Sequence, residues 1–362
     1  MEQPKPRRRK AVVDGVRRKL QAYRKPTVRI DALLRLHPGL GELFDKDFRS
    51  QLLSRRQVEK FSSQKRTHVW GIVRRAAIFH RYCYAAPRYY LPSTADHRLL
   101  DPFASTIHQP KIFIRLRENV RAALSDERII PGGNLLAAFP RRKTPSLAYT
   151  IGFLNSPVVN FFLDAFFEKG IPPLDRLVQF KVPLLKKVEA DHILGHVQDI
   201  LTRVRRVRDL SRQAEDVEVI AKSAGVTLVP LEETEGILRE INVPRSLGEI
   251  VEIKRRGPVV IFRRGSTIVT TTEESATYLE LWLADRFHEI QNLNKAELGQ
   301  HIRMPALTAY VVRVLQHRAR LDEKILKLTT EIDSLQDEID SRIYDVYLLS
   351  AREREFLGMF YV

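Results

Sequence analysis

The chain has 362 residues, with 61 Lys and Arg against 44 Asp and Glu, for a formal net charge of +17. Two or three compact units fit this length, each able to bury its own core, so neither disulfides nor structural metals are needed for folding. The single Cys83 rules out an internal disulfide, a zinc knuckle and a C-x-x-C redox motif. No apolar run reaches the roughly 18 residues of a membrane span, and no apolar stretch follows the cations of MEQPKPRRRKAVVDGVRRKL, so a reducing cytoplasm is the expected compartment.

The excess of cations points to a polyanionic partner, because phosphates neutralised by Lys and Arg release counterions. Residues 1–30 hold eleven Lys or Arg against Glu2 and Asp14, a balance of +9. This reads as a basic arm whose Arg7, Arg8, Arg9 and Lys10 contact phosphates.

Along the chain, residues 31–60 read as helix, with Leu33, Leu34, Leu36, Leu40, Leu43, Phe44 and Phe48 on an irregular apolar face broken at Pro38 and Gly39. Residues 65–92 interleave Trp70, Phe79, Tyr82, Tyr84, Tyr89 and Tyr90 with Arg74, Arg75, Arg81 and Arg88. Two readings stay open there, a base-stacking surface and a strand pair with a core of aromatics. Ile112 and Ile114 after Pro110 suggest a strand, and Pro131, Gly132 and Gly133 a turn before Leu135. From Leu147 to Phe166 the apolar spacing is helical, interrupted near Ser156 and Pro157 and stopped at Gly170, Pro172 and Pro173.

Ile193, Val197, Ile200, Val204 and Val207 alternate steps of four and three, as do Leu321, Ile325, Leu328, Ile332, Leu335 and Ile339. Such a heptad seam predicts two antiparallel helices that bring residues 190 and 345 together. Between them, three strands are expected near 249–254, 258–263 and 266–272, covered by a helix over 274–290.

Catalytic motifs are sparse. Neither a Gly-rich loop for S-adenosylmethionine with an N-P-P-Y tetrapeptide nor a phosphate loop is found. Glu252 and Lys254 form an E-x-K on an expected strand, which leaves metal-dependent nuclease chemistry open. His68, His80, His97 and His108 are scattered, without metal-ligand spacing.

The stretches PKIFIRLRENVRAALSDE, GGNLLAAFP, SLAYTIGFLNSPVVNFFLDAFF and LVQFKVPLLKKVE, in that order, resemble the C-terminal target-recognition domain of TaqI-like and type IIG restriction-modification enzymes. Pro110, Lys111, Ile112 and Arg115 match the opening strand. Ser146, Leu147, Tyr149, Gly152, Leu154, Asn155 and Ser156 match the helix signature, in which Gly152 allows close helix packing. EIDSRIYDVYLLSAREREFL resembles the closing tail. The likeness covers roughly 105–190 and 320–357. It departs from the family in three ways: the catalytic half is absent, residues 1–100 are only faintly similar, and a small domain interrupts the stalk.

The resemblance implies a specificity subunit of a restriction-modification or related phage-defence system. It would recruit a separate adenine-type DNA methyltransferase, with or without a nuclease, to double-stranded DNA. The expected fold is α+β. A mixed-sheet target-recognition domain is joined to long antiparallel coiled-coil helices, with a small α+β domain inserted between them. The expected boundaries are 1–30 for the arm, 31–190 for the recognition domain, 191–224 for the first stalk helix, 225–305 for the inserted domain and 306–362 for the second stalk helix and tail. DNA contacts are expected from Lys111, Arg115, Arg117, Asn119 and Arg121, and from Asn134, Arg141, Arg142 and Lys143. The expected chain binds no cofactor itself, S-adenosylmethionine and Mg²⁺ belonging to the partner, has no membrane contact, and offers its coiled coil for homodimerisation. A non-specific nucleic-acid scaffold stays open beside the nuclease.

Overall fold

The computed structural model describes residues 6–38, 53–54, 69–73, 80–84, 89–92, 109–116, 119–127, 129–132, 135–142, 145–167, 171–243, 253–262, 266–290 and 292–361. It forms two compact units, one from residues 1–208 with 328–362 and the other from 209–327. Both boundaries fall inside long helices.

The first unit opens with α1 (Pro6–Ala22). This is a packed helix and not a free arm: Val16 is fully buried, α1 packs on the C-terminal helix, and Lys19 Nζ reaches Glu353 Oε2 at 2.6 Å. Strand β1 (Thr27–Arg29) follows, then a four-residue helix α2 (Ile30–Leu33) and strand β2 (Leu34–Pro38). The helix expected over 31–60 is therefore replaced by strand at 34–38, while its later apolar positions Leu40, Leu43, Phe44 and Phe48 lie outside the described residues. The physical reason is tertiary. Leu34 to Pro38 pair antiparallel with the distant segment 136–140, and at the sheet edge a terminal Pro costs no ladder bond.

Two four-stranded sheets follow. Strands β3 (Leu53–Ser54), β4 (Val69–Val73) and β5 (Tyr89–Pro92) join β8 (Ile129–Pro131) in the order β3-β5-β4-β8, with β4 and β8 parallel. A strand pair at 69–73 and 89–92 thus matches the second reading of the aromatic stretch. Strands β6 (Lys111–Arg115), β7 (Arg121–Ser125) and β9 (Leu135–Pro140) join β2 in the antiparallel order β2-β9-β6-β7. Nearly every residue of β6 and β9 is buried, which explains why their sequences run apolar without strict alternation.

Helices α3 (Leu147–Leu154) and α4 (Pro157–Ala165) break where expected. Ser146 caps α3 by accepting from Tyr149 N, and Ser156 caps α4 with Pro157 at its first position. Helix α4 ends at Ala165, before Gly170. A short α5 (Pro173–Leu177) and β10 (Lys181–Pro183), paired with β1, lead to the long α6 (Lys187–Glu215).

In the second unit, α7 (Val217–Ser223) starts at an Asp216 cap. Strand β11 (Leu228–Pro230) precedes β12 (Leu238–Asn242), β13 (Lys254–Arg256), β14 (Val259–Ile261) and β15 (Thr267–Thr270), which form an antiparallel sheet ordered β12-β15-β14-β13. Sequence reading anticipates β14 and β15, though longer, and misses β12; the strand expected at 249–254 lies mostly outside the described residues and meets β13 only at Lys254. Helix α8 (Glu273–Ile290) covers this sheet with buried Tyr278, Leu279, Trp282 and Leu283. Buried Arg286 lies over Trp282 and pairs with Asp216 at 3.0 Å. Helix α9 (Lys295–His301), capped by an Asn294–Glu297 box, and β16 (Arg303–Pro305), paired with β11, lead into α10 (Thr308–Val346).

Helix α10 runs back into the first unit, where Arg203–Glu331 at 2.8 Å and His196–Glu338 at 3.3 Å set it antiparallel to α6. Ile193, Val197, Ile200, Val204, Val207, Ile332 and Ile339 of the expected seam are buried. Helix α11 (Ala351–Phe360), begun by a Ser350–Glu353 capping box, closes the unit against α1 and α4. The α+β class with long helices is as expected.

Candidate nucleic-acid interface

The β6–β7 hairpin is held from below by two amides of the LNSPVVN stretch. Asn155 accepts from Ala122 N at 2.8 Å and donates to Ala122 O at 3.0 Å. Asn160 accepts from Val120 N at 2.7 Å and donates to Tyr361 O at 2.9 Å. Both side chains are buried, so the hairpin end at 119–122 is fixed by fully engaged amides. Sequence reading places Asn155 only in the helix signature.

Gly152 takes part in the same support. A Cβ built there would lie 3.3 Å from Val197 and 3.4 Å from Ile193, so α3 crosses α6 closely enough that even a methyl group would press on Val197. The expected close packing at Gly152 is present.

A second anchor is the turn at 80–84. His80 Nε2 lies 3.1 Å from Asp333, Arg81 pairs with Asp340 at 3.6 Å, and the Tyr82 hydroxyl donates to Gln336. Tyr82 and Gln336 are fully buried. Burial lifts the Asp340 carboxyl to about 7, outweighing the opposing pull of Arg81. Tyr82 and Tyr84 are therefore core residues and not base-stacking platforms. Cys83 between them is buried too, and burial pushes its thiol up to about 12.

The residues expected to contact DNA separate into distinct groups. Lys111 is fully buried: its Nζ donates to Glu127 O at 2.7 Å, and desolvation brings the amine down to about 8. As a surface contact it is overturned, because no phosphate reaches an ammonium enclosed by backbone carbonyls. Arg115 and Arg121 face each other across the hairpin, half-buried, with half-buried Asn119 in the connection between them. Like charges directly opposite in a ladder are unfavourable, and the Asp333 carboxylate lies within electrostatic reach of Arg121. Arg141 and Arg142 are exposed just past β9. Since Arg115 pairs with Leu135 and Pro140 with Leu34, the two groups lie at opposite ends of the sheet, about 20 Å apart at ~3.4 Å per residue. Arg117, Asn134 and Lys143 lie outside the described residues.

Helix α1 carries Lys10, Arg17 and Arg18 exposed. Arg7, Arg8 and Arg9 fall in its first turns, which hold no acidic residue, although their side chains lie outside the description. Cations at a helix N-terminus oppose the macrodipole, so this charge does not serve the helix itself. On α6, Arg203 and Arg208 are used structurally, by Glu331 and by Glu127 at 2.6 Å, whereas Arg205 and Arg206 are exposed.

The charge divides sharply between the units. Residues 209–327 hold 17 Lys and Arg against 18 Asp and Glu, while residues 1–208 with 328–362 hold 44 against 26. Thus the whole positive excess belongs to the unit that contains the hairpin. In the second unit, Lys254 is exposed on the edge strand β13 and Glu252 lies outside the described residues. Among the described residues no cluster of three His, Cys, Asp or Glu can hold a metal, and no helix is long and apolar enough to cross a membrane.

No protein-family model matches this chain, and no curated protein matches it. Among solved structures, it is similar to the type I restriction-modification system S subunit from M. genitalium, at 11% identity and a TM-score of 0.34, covering 90% of this chain and 96% of that one. It is also similar to the HsdS subunit from Thermoanaerobacter tengcongensis, at 13% identity and a TM-score of 0.34, covering 90% of this chain and 98% of that one.

Proposed function

We propose that this chain is a sequence-specific DNA-binding subunit of a restriction-modification or related phage-defence system, acting in the cytoplasm. The observation that carries the reading is the charge division: one unit holds the entire positive excess, and the same unit holds a hairpin fixed by Asn155 and Asn160. Counterion release from phosphates supplies affinity, and a rigid, arginine-bearing hairpin end supplies the geometry for reading base edges. Arg115, Asn119 and Arg121 are the proposed base readers. Arg141, Arg142 and the cations of α1 are the proposed phosphate contacts.

In this reading the bond-making lies in a separate adenine-type methyltransferase, with or without a nuclease, which holds S-adenosylmethionine and Mg²⁺. The resemblance to TaqI-like and type IIG recognition domains supports that assignment. The long helices α6 and α10 are the proposed platform for the partner or for a second copy of this chain.

The test is selection of bound duplexes from a randomised library at two salt concentrations. Enrichment of one sequence, with an affinity that falls steeply as salt rises, is the expected outcome. Equal binding of every duplex makes the protein a non-specific scaffold and overturns the reading.

A further inference from the structure

A cavity of about 410 Å³ opens between the C-terminal end of α1, the end of α4 and strand β10, within the first unit. Its size falls within the range of small-molecule sites. Four phenyl rings, Phe162, Phe166, Phe167 and Phe180, form much of the wall, packed on one another at centroid distances of 4.9 to 5.4 Å. Phe162, Phe166 and Phe167 remain half-exposed, so apolar ring surface is left open to a ligand.

The polar part of the lining is selective. Arg24 and Lys181 stand exposed at the cavity, the Arg17 guanidinium lies 5.4 Å from the Phe166 ring centre, and among the described residues no carboxylate lines it. Gln21 and Gln179 add two amides, and the Gln179 nitrogen already donates to Asp175 O. The Tyr23 hydroxyl, on another lining residue, is buried without a hydrogen-bond partner among the described residues.

Rings for stacking, amides for an edge with donors and acceptors, and cations with no carboxylate among the described lining residues together match one ligand chemistry. From this we infer that the cavity binds a nucleotide, its base against the phenylalanines and its phosphate at Arg24 and Lys181. The nucleotide comes from one of two sources, free in solution or extruded from a DNA strand. The inference goes beyond the recognition of duplex DNA proposed above and does not depend on it.

Calorimetric titration of the full chain with deoxyadenosine monophosphate tests it, with inorganic phosphate and deoxyadenosine as separate probes. The monophosphate should bind at least tenfold tighter than either half, and Arg24→Glu and Phe167→Ala should each weaken it at least tenfold. A second arm compares a duplex carrying one unpaired adenine with its perfect counterpart. An affinity gain for the unpaired base that disappears in Phe167→Ala supports the strand-held source, while monophosphate binding without that gain supports the free one. Arg24 is exposed, so Arg24→Glu keeps the test decisive even where Phe167→Ala fails to fold. Absence of Arg24-dependent binding in both arms overturns the inference, as does capture of an acidic aromatic peptide in place of the nucleotide. Perfect-duplex selectivity, measured in parallel, reports separately on the recognition function.

Discussion

The Tyr82 phenol donates its hydrogen bond to the amide oxygen of Gln336, more than half the chain away in sequence, and neither side chain touches solvent. Tyr82 holds a φ of 62°, a conformation that costs a bulky residue roughly 1–2 kcal/mol, so the contact with α10 keeps the turn in place. Tyr82→Phe leaves the buried Gln336 oxygen without this donor. A loss of about 1–3 kcal/mol in chemical denaturation is expected, with DNA preference unchanged well below the transition.

Gly152 should tolerate no branched side chain. With Val197 and Ile193 at 3.3 and 3.4 Å from a built Cβ, Gly152→Val forces α3 away from α6. Overpacking of this kind costs roughly 1–3 kcal/mol. A lowered thermal midpoint checks it, and an unchanged midpoint contradicts the close approach.

Two buried ionisable groups give opposite pH dependences. The Asp340 carboxyl titrates near 7 in the folded chain, above its ordinary 3.8, so between these values the native state holds a proton that the unfolded chain has released. Its contribution to stability is therefore present at low pH and lost as pH rises towards 7. Asp340→Asn should flatten that part of the stability profile.

For Lys111 the sign reverses. Its folded-state amine titrates near 8, below the ordinary 10.5, so the unfolded chain holds the extra proton and stability rises with pH between the two values. Lys111→Met should abolish that rise while leaving DNA affinity unaltered. A marked fall in affinity would return Lys111 to the interface.

Arg141 and Arg142 are exposed cations beyond β9, and each phosphate contact adds about one to the slope of log affinity against log salt. Replacing both by Ala should lower the slope by about 2 and weaken all duplexes alike. Arg121→Ala should instead relax sequence preference, as read by repeating the library selection.

The contribution of α1 is better measured by Arg17→Glu with Arg18→Glu than by deletion. Removing residues 1–25 also removes Val16 and Lys19 from their contacts and unseats Glu353. Charge reversal should reduce duplex affinity several-fold with little change in melting, whereas the deletion should lower the melting temperature.

Where periodicity is local, the sequence is a good guide. Ile193 to Val207 and Ile332 with Ile339 turn inward because a heptad stripe leaves one stable burial, and Ser146 and Ser156 cap helices because their oxygens serve the next amides. Leu34 and Leu36 fit a helical face equally well, and only pairing with β9, a hundred residues away, decides for strand. Lys111 beside Pro110 reads as an exposed cation until Glu127 O is brought over it. Gln336 and Asp340 look like solvent positions between heptad residues, and the turn at 80–84 that buries them lies in a distant segment. The strand through Ile112 and Ile114 is legible, whereas its partner β7 and the amides that support it become visible only once Asn155 meets Ala122 and Asn160 meets Val120.

The first unit is closed by its last stretch of chain: Glu353 receives Lys19, Tyr361 receives Asn160, and Asp333, Gln336 and Asp340 receive the turn at 80–84. During synthesis the N-terminal half thus leaves the ribosome with its keystone still untranslated. A product stopping before residue 328 lacks those acceptors altogether, so a late nonsense codon should yield an unfinished, protease-sensitive core instead of a shortened but folded unit.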